Sequence, residues 1–207
     1  RTAMTAAAGT IAGGVERGTL LYLLAQPISR SQVLLGKYIG LSLALICSLG
    51  LGFGVSAGVL AWRAGGVGLS AYIMLVVFTA LLALAMLSIG MLISAVSRRS
   101  GVATGVSLFA WLGLVFLSDL GLMAGTLLFQ LRVQEVFGLA ILNPLQAFKM
   151  GVIVNMNASL DVLGPVGAYA SLTFGDSLSW LLSAVVMVWI LLPLGAATFL
   201  FHRRSSV

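Results

Sequence analysis

The chain has 207 residues, of which 60% are hydrophobic and only 8% charged, and its mean hydropathy is +1.15. A soluble domain carries about 25% charged residues, so this composition excludes an ordinary water-soluble domain, and its hydrophobicity equally excludes disorder. The net charge of +6 gathers only at segment ends and makes no basic patch. That excludes nucleic-acid binding and leaves an integral membrane protein whose basic residues set its orientation.

Residues 2–15 are rich in Ala and Gly and too few to cross a bilayer at about 1.5 Å per residue. They are expected to be the tail of a helix whose start lies before Arg1, in a sequence truncated at its N-terminus. The next stretch, 16–36, has a readable design. Gly18 and Thr19 can open a short helix with Leu20, Leu21, Leu23 and Leu24 as its apolar part. Pro27 ends it, since proline lacks the backbone donor and restricts the residue before it. Ser29 followed by Gln32 fits a capping box, so the next helix starts there. An apolar short helix, a proline corner and a capped membrane helix could pass a push from a soluble partner into the span. An interfacial anchor, with Arg17, Arg30 and Lys37 on lipid phosphates, has the same composition.

A spanning helix needs about 20 apolar residues. The charge-free stretches between Lys37 and Arg63, Arg63 and Arg98, Ser100 and Asp119, and Asp176 and His202 predict spans at about 36–61, 71–96, 102–124 and 179–201. Gly65, Gly66 and Gly68 read as the turn between the first two. With the 16–35 segment in the cytoplasm, Arg17, Arg30, Lys37, Arg98, Arg99, Arg203 and Arg204 are inside. Arg63, Arg132 and Lys149 are then outside, which is the orientation the positive-inside rule favours. Trp62 and Trp180 fall at the outer interface, whereas Trp111 and Trp189 are expected to pack between helices. Small-residue pairs at i, i+4 spacing (Gly36 with Gly40; Gly50, Gly54 and Gly58; Gly101 with Gly105; Gly121 with Gly125) suit close packing of helices within the chain, or between two copies. Cys47 reads as a small buried residue.

The outer stretch 125–178 is too long for a simple turn and too apolar for a plain loop. Asn143 followed by Pro144 reads as an N-cap and a proline at the first helical position, opening a short helix through Phe148 and Lys149. Asn143, Gln146 and Lys149 make it a poor span, so interfacial or re-entrant helices buried against protein are expected.

Few constellations for chemistry are present. Asp119 is the sole carboxylate in or near a span, so a facing pair is absent, and His202 is the only histidine. No GxxxxGK[ST] phosphate loop occurs, so any ATP-driven activity needs a second polypeptide. Asp119 lies roughly 27 Å beyond Gly101 along a helix, near the outer interface, where it serves either structure or a pathway. Met123, Met150 and Met156 fall on the outer side, and thioethers suit Cu(I). They form no Met-x-x-Met cluster, however, and Met is a common gap-filler; neither a metal site nor a cofactor is expected in this chain.

The stretch 16–37 resembles the first cytoplasmic loop of ABC-2 type transporter permeases. Glu16, Gly18, Thr19, Leu20, Leu23, Leu24, Pro27, Ser29, Arg30, Gly36 and Lys37 stand in that family's order, with Arg17 at its basic-or-small position. The resemblance implies an all-α polytopic transmembrane bundle of six spans, of which those read here are the third to sixth. It also implies one transmembrane domain over 1–207, two permease copies, and a loop that touches a cytoplasmic P-loop ATPase subunit. On it, Glu16, Arg17 and Arg30 make polar contacts at the joint, and the chain is a permease rather than an enzyme. A narrower resemblance is carried by Ser118, Asp119 and Leu120, by residues 142–150 with Asn143 and Lys149, and by residues 163–169. They look like the permease of the nitrous oxide reductase maturation system. That implies a multi-pass protein of the bacterial inner membrane, a periplasmic copper-handling partner, and support for assembly of the reductase's copper–sulfur site. Asp119, Asn143 and Lys149 become candidates for the pathway or a partner surface. Export of another substrate (lipid, drug or polysaccharide) stays open, as does a scaffold that docks an ATPase. An ion-coupled carrier would need ionisable or broken-helix sites near the midplane, and the span centres carry no charge.

Overall fold

A computed structural model describes residues 1–17, 29–64, 68–127, 132–155 and 165–203. They form eight α-helices and no strand: α1 Thr2–Glu16, α2 Arg30–Ala64, α3 Leu69–Val96, α4 Ser100–Leu127, α5 Val133–Ile141, α6 Pro144–Asn155, α7 Pro165–Phe174 and α8 Leu178–Arg203. A short 3-10 turn, Gly175–Ser177, leads into α8. The protein is all-α and polytopic. Helices α2, α3 and α8 are long and apolar enough to cross a membrane. Helix α4, with 28 residues, contains the expected 102–124 segment. Gly68 adopts φ +79° just before α3, a left-handed conformation that glycine enters without the strain of a Cβ, as the turn reading requires.

Helices α5 and α6 fall within residues 125–178. They are bent by 105° at the Leu142–Asn143 break and together pass as one apolar span or a re-entrant loop. Asn143 caps α6 as expected: its Oδ1 accepts the Leu145 N–H at 3.0 Å, with Pro144 the first helical residue.

The chain divides into two compact units. The first holds residues 1–47, 83–112 and 188–207, and its centre is α1. Ala7 and Ile11 of that helix pack with Leu34, Tyr38, Leu87, Met91, Ala95, Ala197 and Phe201, while Ala8 and Ala12 pack with Ala103. The Ala and Gly content of α1 is what lets several helices reach it. At Gly90 of α3 the approach is close enough that a Cβ would collide with the Met4 carbonyl oxygen and the Ala7 side chain.

The second unit holds residues 48–82 and 113–187. Phe137 stands edge-on to Tyr169 at 5.7 Å and stacks on Phe174 at 5.4 Å, joining α5 to α7. Gly151 of α6 lies so close to the Phe78 ring that a Cβ would overlap it. The Tyr72 hydroxyl donates to the Phe53 carbonyl at 3.0 Å.

Three expectations need correction or refinement. The stripes Gly36 and Gly40, Gly50, Gly54 and Gly58, and Gly101 and Gly105 have nothing within 4 Å of a built Cβ among the described residues; they do not pack against another described helix. The tightest approaches fall instead at Gly90 and Gly151, outside the stripes named from the sequence. Cys47 is exposed rather than buried, because the middle of α2 presents its apolar surface outward. Trp62 and Trp180 are exposed at 86% and 81%, as interfacial residues would be, and Trp111 and Trp189 are half-buried.

Candidate coupling site

The segment singled out by the sequence is flanked by described residues on both sides, and these flanks make polar contacts within the first unit. Gly18, Thr19, Leu20, Leu23, Leu24 and Pro27 themselves lie outside the described residues. Upstream, Glu16 ends α1, and its carboxylate accepts from the Ser100 N–H at 2.9 Å and the Ser100 hydroxyl at 2.5 Å. Those two bonds, with Arg99 and Arg17 nearby, hold the Glu16 carboxyl below the ordinary carboxylate range. Its pairing is therefore present at neutral pH and is lost only as pH falls through that lowered value.

Downstream, the predicted capping box is formed. The Ser29 N–H donates to Gln32 Oε1 at 2.9 Å, and the Gln32 N–H donates to Ser29 Oγ at 3.3 Å. Two N–H groups that no helical carbonyl can reach are thereby satisfied, which fixes the start of α2. Arg30 follows as the first residue of that helix. Gly36 is open on its exposed face. At the next residue, the Lys37 ammonium donates to the Thr10 carbonyl of α1 at 2.7 Å.

Two further contacts join helices of the first unit, one between α1 and α3 and one between α2 and α3. Ser94 of α3 is fully buried, and its Oγ accepts from the Ile11 and Ala12 N–H groups at 3.0 and 3.1 Å. Buried Ser88 shares a 3.1 Å hydrogen bond with the Tyr38 hydroxyl, which also donates to the Leu84 carbonyl at 3.3 Å. Against lipid, burying apolar surface gains little, so such contacts and close packing hold membrane helices together. At about 0.6 kcal/mol each, the Lys37, Ser94 and Tyr38 contacts contribute roughly 2 kcal/mol.

The sequence reading missed Thr10, Ser88, Ser94 and Ser100. The one available signal was polar: two serines inside an otherwise apolar run, and a serine directly after Arg98 and Arg99.

The three remaining candidates belong to the second unit. Asn143 is 8% exposed, and its Nδ2 donates to the Leu114 carbonyl of α4 at 2.7 Å. Both ends of its amide are thus engaged, in capping α6 and in tying the α5–α6 break to α4. Lys149 is half-buried on α6. Asp119 falls on α4, with its side chain outside the described residues. Met150 is buried at 2%; the side chains of Met123 and Met156 lie outside the described residues.

Residues 2–206 match the sequence family described as ABC-2 family transporter protein. The chain belongs to the ABC-2 transporter family. Two relatives give the match a finer grain. The chain is 29% identical over 210 residues to a protein of Stutzerimonas stutzeri named probable ABC transporter permease protein NosY, covering 99% of this chain and 75% of that one. It is 32% identical over 210 residues to the Pseudomonas aeruginosa PAO1 protein of the same name, covering 98% of this chain and 74% of that one. An ABC-2 chain is a membrane component of a transporter, and the helices here are those of a multi-pass membrane protein.

Proposed function

We propose that the chain is the permease subunit of an ATP-driven exporter of the bacterial inner membrane, acting in the maturation of nitrous oxide reductase. Two copies pair, and each docks a separate cytoplasmic P-loop ATPase through the 16–36 segment. ATP binding closes the ATPase pair. The segment from Thr19 to Gln26 and the Pro27 corner pass that motion to α2, and the spans rock to open a pathway outward. The cargo is a sulfur species or another component that the copper site needs, delivered beside a periplasmic copper-handling protein.

One observation carries the coupling role. Both flanks of the segment are bonded into helices, through Glu16 to α4, through the Ser29–Gln32 box into α2, and through Lys37 to α1. A push on a segment anchored at both ends moves helices rather than dissipating in a loop. The likeness to two proteins named NosY, with the outer residues around Asn143 and Lys149, supports the maturation role over export of a lipid, drug or polysaccharide. Asp119 and Lys149 remain the candidates for the pathway or a partner in this scheme, and Asn143 contributes by fixing the α5–α6 break that carries Lys149. The charge-free span centres argue against an ion-coupled carrier.

The test is complementation of a bacterial strain that lacks the permease. Pro27→Ala should leave membrane insertion and ATP hydrolysis in place while nitrous oxide reduction falls severalfold. Full activity with Pro27→Ala and with Glu16→Ala would remove the coupling assignment. A wild-type gene that does not restore nitrous oxide reduction, yet supports ATP-dependent export of another compound, would shift the cargo class.

A further inference from the structure

The coupling scheme proposed above gives the 18–28 segment one outlet, α2. The structure holds a second at its upstream flank. Helix α4 begins at Ser100, and the Arg99 carbonyl accepts the Ala103 N–H at 3.1 Å, which makes Arg99 the N-cap. Arginine has no acceptor with which to cap a helix, so the first donors of α4 need a partner from elsewhere. Glu16 supplies it from 84 residues away, taking both the N–H and the hydroxyl of Ser100. A carboxylate there is also favoured by the positive end of the helix dipole. The approach is close along the backbone as well: a Cβ on Gly13 would lie 3.8 Å from the Ser100 Cβ. Helical bonding in α1 continues through Arg17, whose N–H donates to the Gly13 carbonyl at 3.1 Å, so Glu16 is rigidly joined to the residue where the segment starts.

We infer that Glu16 is a positioning residue that links the upstream end of the coupling segment to α4, so that ATP-driven motion moves α4 as well as α2. This rests on the coupling role proposed above. Glu16 then acts chiefly within the permease, through Ser100, rather than as a surface contact for the ATPase.

The test uses the full-length permease with its ATPase in lipid nanodiscs. Cys47 is replaced by alanine, and a fluorophore is placed on Val102→Cys, an exposed position of α4. The readout is the fluorescence change on adding ATP. Ser100→Pro removes both donors, yet proline is well tolerated at the first position of a helix; Ser100→Ala removes only the hydroxyl. The change should shrink roughly two- to tenfold in Ser100→Pro, a coupling loss of ordinary size, and less in Ser100→Ala. ATPase association should be unaltered. In a second variant, Glu16→Cys with Ser100→Cys is bridged by a short reducible bis-thiosulfonate linker. The bridged form should respond fully, and reduction of the same molecules should lose the response, a result that a folding defect would not give. A full response in Ser100→Pro, or equal responses before and after reduction, would overturn the link. If the wild type itself binds no ATPase or gives no response, the coupling role falls and the link with it.

Discussion

At the scale of single residues, the positions that matter are short polar side chains whose partners lie on other helices. Asn143 shows the physics most plainly. Its amide caps α6 through Oδ1 and reaches the Leu114 carbonyl through Nδ2, so one side chain starts a helix and fastens it to another. Asn143→Ala loses both and is expected to destabilise the protein by about 1–3 kcal/mol, the sum of a lost cap and a lost buried hydrogen bond. Asn143→Ser keeps a cap acceptor but cannot span to Leu114, and should recover roughly half of that loss. Thermal unfolding in detergent checks the order wild type, Ser, Ala; an Ala variant as stable as the wild type would contradict it. Asn143 and the Ser29–Gln32 box could be read in the sequence because their capping partners are two or three residues away. Ser94 and Ser100 could not, because Ile11, Ala12 and Glu16 are more than eighty residues distant. Nothing local distinguishes a serine that accepts two N–H groups from one that bonds back to its own helix.

Among the elements, glycine shows how far pattern reading goes. The i, i+4 stripes on α2 and α4 are visible in the sequence, yet their described members face open space. The glycine that permits packing in the first unit is Gly90, where α3 meets the backbone of α1, and only the fold reveals it. The two cases predict opposite results. Gly90→Ala forces α1 and α3 apart and should lower stability by about 1–3 kcal/mol, as overpacking does. Gly54→Ala adds a methyl to an open helix face and should be neutral, or stabilising by up to about 1 kcal/mol through helix propensity. Unfolding midpoints of the two variants side by side decide this, and a Gly54→Ala change as damaging as Gly90→Ala would show that its face is covered. The long apolar helices were legible from charge spacing alone, since few residues in a span can afford charge. The break at Asn143 was legible from its Asn-Pro pair. The 105° bend between α5 and α6 was not, because it depends on what the two helices bury: Val136, Phe137 and Ala140 on one side, and Gln146, Ala147 and Met150 on the other.

For the whole molecule, the basic residues divide between the two units. Arg17, Arg30, Lys37, Arg98, Arg99 and Arg203 belong to the first unit, and Arg63, Arg132 and Lys149 to the second. The positive-inside rule assigns the first set to the cytoplasm and the second to the exterior. The unit richer in basic residues is also the one whose helices are stitched around α1 and the flanks of the coupling segment. In the proposed scheme, a permease that receives force from a cytoplasmic ATPase needs stiffness around the coupling segment, and polar contacts between helices supply it where lipid offers no hydrophobic drive. The central claim is that a separate ATPase binds there. Its most direct measurement is purification of the full-length protein from native membranes in mild detergent, followed by mass spectrometry of what accompanies it. A P-loop ATPase should come along in stoichiometric amount, with a periplasmic copper-binding protein beside it. A folded permease that emerges without a P-loop ATPase would contradict the claim.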